Sequence, residues 1–114
     1  MAELEDSAGN APESEKQKIR LEYFVGMLGD EDPGTRWKAA ESLARLGDPD
    51  ALDPLILALE DEDWRVRQKA AWALGVLGDR RAIPALRRAY REDLEGVQEM
   101  ILESIDRIQS GSYP

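Results

Sequence analysis

From residue 16 onward, apolar positions recur every three or four residues, and the pattern breaks at regular intervals on Gly, Asp and Pro. Ala39, Leu43 and Leu46 form one stripe at i, i+4, i+7, and Leu52, Leu55 and Leu59 form the next. Asp32 suits an N-cap and Pro33 the first helical position, while Gly47 and Gly78 suit helix stops. The periodicity predicts six helices, at about 16–28, 33–46, 50–60, 64–77, 81–91 and 95–109. Loops of two to five residues make neighbouring helices antiparallel.

The pattern also repeats. Residues 28–58 laid over 59–89, an offset of 31, give many identical pairs without a gap. They include Asp30/Asp61, Arg36/Arg67, Lys38/Lys69, Ala39/Ala70, Ala40/Ala71, Leu43/Leu74, Gly47/Gly78 and Leu55/Leu86. A supersecondary unit repeated at this period is the mark of a solenoid. The expected fold is therefore all-α: an α-solenoid of about six antiparallel helices with a 31-residue two-helix repeat. In the last copy, Ile101 and Leu102 replace Ala70 and Ala71, and Gln98 replaces Arg67. Small residues allow close helix approach, whereas larger ones suit an end helix with no following repeat, so a capped stack is expected.

Asp61 to Leu86 carries the pattern D-x-D-x-x-V-R-x-x-A-A-x-A-L-G-x-L-G-D-x-x-A-I-P-A-L. It resembles the HEAT repeat, in the short subtype named for phycobilisome lyases, and the resemblance covers about residues 16–109. It implies an armadillo-like, right-handed superhelix with second helices lining the concave side. It also implies an Asp–Arg ladder in the turns, Asp30/Arg36 and Asp61/Arg67, broken at Glu92/Gln98. Some relatives are di-iron hydroxylases with His-Glu pairs, and others are chromophore lyases or their subunits. This chain has no histidine, so the di-iron activity does not carry over.

Composition narrows the chemistry. His and Cys are both absent, which removes a His general base, a Ser-His-Asp triad, disulfides and the usual zinc sites. No phosphate-binding loop, dinucleotide fingerprint or zincin motif occurs. The expectation is a non-enzyme with no cofactor and no metal. The net charge of −9 disfavours nucleic acid and anionic membrane. No apolar run of about 18 residues occurs and no secretory leader is visible, so a cytoplasmic location is expected. Residues 1–15 hold Glu3, Glu5, Asp6, Glu13 and Glu15 without Lys or Arg and read as a disordered acidic tail. Residues 110–114 read as a flexible C-terminal tail, leaving 16–109 as the repeat domain.

Two candidate surfaces remain after the repeated core positions are subtracted. The first is a groove on the second helices formed by Glu22, Val25, Asp53, Ile56, Leu57, Glu60, Arg87, Arg88 and Arg91. It is apolar and acidic in its first rows and basic in its third. The second is an aromatic face of Trp37, Trp64 and Trp72, each placed where the other copies have a polar or capping residue. The functional expectation is a protein-binding or scaffolding module that takes a protein or peptide through the groove. The alternatives are an accessory subunit of a lyase-like or other cofactor-handling enzyme, and a homo-oligomer assembled through the solenoid ends or the Trp face.

Overall fold

The computed structural model describes residues 11–93 and 96–111. Among them are six α-helices and no strand: α1 (Glu13–Met27), α2 (Pro33–Leu46), α3 (Leu52–Ala58), α4 (Trp64–Leu77), α5 (Ile83–Glu92) and α6 (Gln98–Ser110). Short 3₁₀ turns at Pro49–Ala51 and Arg80–Ala82 lead into α3 and α5. The α-solenoid expected from the 31-residue pattern is the architecture found.

Helix ends follow the local chemistry. Asp32 caps α2 by accepting from the Thr35 amide, and Asp63 caps α4 by accepting from the Arg65 amide. Gly47 and Gly78 close α2 and α4 in the left-handed conformation, with φ of 70° and 71°. A side chain there would be strained, so the repeat needs glycine at both stops. Expectation and structure differ at three helix starts. α1 begins at Glu13, directly after Pro12, inside the stretch read as tail. α3 and α5 begin later than expected, because Asp48 and Asp79 cap the preceding 3₁₀ turns instead. The expected tails at residues 1–10 and 112–114, and the expected start of the last helix at 95, lie outside the described residues.

The first helices of the repeats, α2, α4 and α6, stack on one another, while α1, α3 and α5 pair with the first helices that follow them. One continuous core results. Leu43, Leu55, Leu74, Leu86 and Ile101 are fully buried, and Ala40, Ala71 and Ala73 let the stacked helices approach closely. α4 and α6 lie close at Gly75, where an added Cβ would lie 2.8 Å from the Ser104 hydroxyl oxygen. That hydroxyl donates to the Ala71 carbonyl at 2.6 Å, so the two helices are also joined there by a hydrogen bond.

Candidate functional site: the α3–α5 cleft and the tryptophan face

The turns that join the repeats carry a chain of buried charges. Arg36 donates from Nε and Nη2 to the two carboxylate oxygens of Asp61 at 2.8 and 3.1 Å. Its Nη1 donates to the carbonyls of Asp30 and Glu31. Arg67 repeats this one unit on, with Nε to Asp93 at 3.2 Å and Nη1 to the carbonyls of Asp61 and Glu62. The ladder differs from the one the resemblance implies. Each arginine holds its own turn through carbonyls and reaches the carboxylate of the next turn, not of its own. The last acceptor is Asp93 rather than Glu92, and Gln98 donates to the Tyr90 carbonyl at 2.6 Å. Bonding to Asp61 raises the Arg36 pKa further above its usual value, so the guanidinium stays charged.

This ladder floors a cleft of about 400 Å³ between α3 and α5. Ile56, Leu59 and Glu60 line one side, and Ala85, Arg88 and Ala89 the other. Asp61, Arg67, Glu92 and Asp93 lie at the turn end. Of the nine residues expected in the groove, the structure brings Ile56, Glu60 and Arg88 into this cleft. Leu57, 70% exposed, and the exposed Asp53, Arg87 and Arg91 stand on the flanking surfaces of α3 and α5. Glu22 and Val25 belong to α1, outside the cleft lining; Glu22 is exposed, and Val25 packs against the core. Sequence reasoning missed Leu59, Ala85, Ala89 and the Arg67–Asp93 rung as lining residues. The small residues at 85 and 89 were the available signal, because an alanine on the cleft side of α5 leaves room where a larger side chain would fill it.

Two of the three tryptophans share one cation. Lys69 Nζ sits 4.5 Å from the ring centroids of both Trp37 and Trp72 and 4.0 Å from a Glu41 carboxylate oxygen. The two half-buried indoles thus sandwich a cation across the α2–α4 junction, a stabilising arrangement rather than an open apolar patch. Trp64 stays 41% exposed at the start of α4. Trp37 also borders a second cleft of about 500 Å³ with Asp32, Pro33, Gly34 and Arg65. In the turns, Arg65 holds the Asp63 carboxylate down at about 2, through side-chain and backbone bonds. Asp79 is lowered in the same way by Arg81.

A family model describing HEAT repeats matches residues 21–107, the span of the stacked helices. The chain belongs to the HEAT repeat family. Among solved structures it is similar to a chain in the complex of CpcE and CpcF of phycocyanin lyase from Nostoc sp. PCC7120. The identity is 30% and the TM-score 0.72, over 88% of this chain and 39% of that one. The chain therefore spans about two fifths of that relative's length. A search of curated proteins gave no match. Among the described residues, no helix is long and apolar enough to cross a membrane. Nor does any group of three or more acidic side chains there have the geometry of a metal site.

Proposed function

We propose that this HEAT repeat protein is a binding module that holds a segment of another protein along the α3–α5 cleft. The observation that carries this reading is the row Arg87, Arg88 and Arg91 on α5. All three are exposed, and none forms an ion pair among the described residues of a chain with net charge −9. Elsewhere the arginines of the turns are matched to Asp61, Asp63, Asp79 and Asp93. The half-buried Ile56 lines the cleft together with Arg88, and Leu57 is exposed on α3. An apolar centre rimmed by charge suits an amphipathic segment with acidic residues. Of the other groove residues, Glu22, Asp53 and Glu60 are exposed and carry the opposite charge. In this reading the protein works as a scaffold without catalysis.

The test is affinity capture with the wild type beside an Arg87→Glu/Arg88→Glu variant of unchanged circular dichroism. A partner held by the wild type should be lost by the variant, and equal capture by both removes the cleft from the account. A second reading, an accessory subunit of a lyase-like enzyme, is favoured by the likeness to a chain of the CpcE–CpcF complex. It requires the folded protein to bind a chromophore, and titrations showing no absorbance change would end it.

A further inference from the structure

The walls of the α3–α5 cleft decide what shape of segment fits it. Its floor is apolar: Leu59 and Ala85 are buried, and Ile56 and Ala89 are half-buried. Both walls are helices, whose backbone groups bond along their own axes. The buried charges at the turn end are engaged as well. Asp61 takes the Arg36 guanidinium, and Arg67 is held by Asp93 and by the carbonyls of Asp61 and Glu62. An extended segment laid on this floor would bring N–H and C=O groups that find no partner there, at a cost for each. A helix arrives with its backbone already paired.

α5 is also shaped to receive a helix. Ala85, Arg88, Ala89 and Glu92 all line the cleft, and they stand at i, i+3, i+4 and i+7. Four residues so spaced make the hole into which a side chain of a facing helix fits. Two of the four are alanines, which leaves the space of about 400 Å³ open. The rim supplies charge. Glu60, Arg88 and Glu92 are exposed and form no ion pair among the described residues. Arg88 and Glu92 are one turn apart, a spacing at which opposite charges can meet, and still they stay apart. Each is available to a charge from outside.

We infer that the occupant of the cleft is an amphipathic α-helix of a partner protein with a fixed order of charges. It presents a large apolar side chain to the hole between Ala85 and Ala89, a carboxylate to Arg88 and, one turn away, a cation to Glu92. This rests on reading the cleft as a binding site, and it narrows that reading to a helical partner.

The probe is a fluorescently labelled peptide of about 14 residues, four turns of helix. A side-chain lactam holds it helical. Leucines run along one face, with a glutamate and a lysine one turn apart beside them. By fluorescence polarisation, the full chain should bind it at least about tenfold more tightly than a copy broken by two prolines. Exchanging the peptide's glutamate for lysine should weaken binding about tenfold, the measure of one charge-assisted hydrogen bond. Arg88→Glu should restore the affinity of that exchanged peptide. Ala89→Phe fills the hole and should abolish binding at unchanged circular dichroism; if it does not fold, Ala89→Leu takes its place.

Equal binding of the broken peptide overturns the inference. So does a loss that Arg88→Glu does not restore, binding that survives the filled hole, or no binding of the helical peptide at all. A wild type that dimerises in sedimentation, and that Ala89→Phe returns to monomer, puts a second copy in the cleft and overturns it too. The broader reading is judged separately, because a captured partner lost with Arg87→Glu/Arg88→Glu would still place a segment in the cleft.

Discussion

Arg36 and Asp61 are 25 residues apart in sequence and form a two-pronged ion pair at 2.8 and 3.1 Å, with both side chains nearly out of water. The pair ties the turn before α2 to the turn before α4. Removing one partner leaves the other without its opposite charge, Arg36 keeping only the Asp30 and Glu31 carbonyls and Asp61 only the Asp63 amide, which costs about 3 kcal/mol. Arg36→Ala and Asp61→Ala should each lower the stability measured by urea unfolding by that order. Arg36→Lys should recover little, because an ammonium has no planar fork to match the carboxylate.

The partner of Arg36 shows where sequence reading ran out. The helix periods, the glycine stops and the 31-residue offset were legible because they depend on residues close in the chain. The ladder's partners depend on how one turn lies over the next. Asp30 and Asp61 are equally near their arginines in sequence, and only the stacking sends each guanidinium forward. The shift from Glu92 to Asp93 at the last rung lay beyond a fixed offset for the same reason. The tryptophans were visible as out of pattern, but Lys69 between two of them was not, since Lys38 and Lys69 are identical in the repeat. The groove was half legible. Ile56, Glu60 and Arg88 line the cleft, whereas Arg87 and Arg91 flank it, because α5 turns those two away.

Gly75 and Ser104 set the spacing of α4 and α6. Gly75→Ala forces a Cβ to within 2.8 Å of the Ser104 hydroxyl oxygen and 2.9 Å of its Cβ. Overpacking of this kind should cost about 1–3 kcal/mol in thermal or urea unfolding. Adding Ser104→Gly removes both contacting atoms, so the loss caused by Gly75→Ala should be smaller in that background.

Lys69 lies between Trp37 and Trp72 with the Glu41 carboxylate at 4.0 Å. Lys69→Met keeps the chain length and removes the cation. It should cost about 1 kcal/mol, the order of a partly desolvated cation–π contact. Tryptophan emission should shift with it. Trp64→Phe, at an exposed position, should leave stability within about 0.5 kcal/mol of the wild type.

The Asp63 carboxylate is held at about 2, below the ordinary 3.8, chiefly by the Arg65 side chain and then by the Arg65 amide. A depressed folded-state pKa gives stability that is present above the unfolded value and lost as pH falls through the folded one. Between pH 4 and pH 2 the protein should therefore lose stability as it takes up a proton at this cap. Asp63→Asn should flatten that part of the stability–pH curve. An unchanged acid slope would remove Asp63 from it.

The turn before α4 receives an arginine from α2 at Asp61, and α4 sends its own Arg67 on to Asp93 ahead of α6. A unit bounded in this way, from Asp61 to just before Asp93, holds one acceptor for the arginine behind it and one arginine for the acceptor ahead. Copying that segment in tandem would supply the arginine and the carboxylate of a new junction, but would put Gln68 and Trp72 at the places of Trp37 and Glu41 beside Lys69. Growth and shortening of this architecture by whole units at the gene level is thus a property of where its charges point.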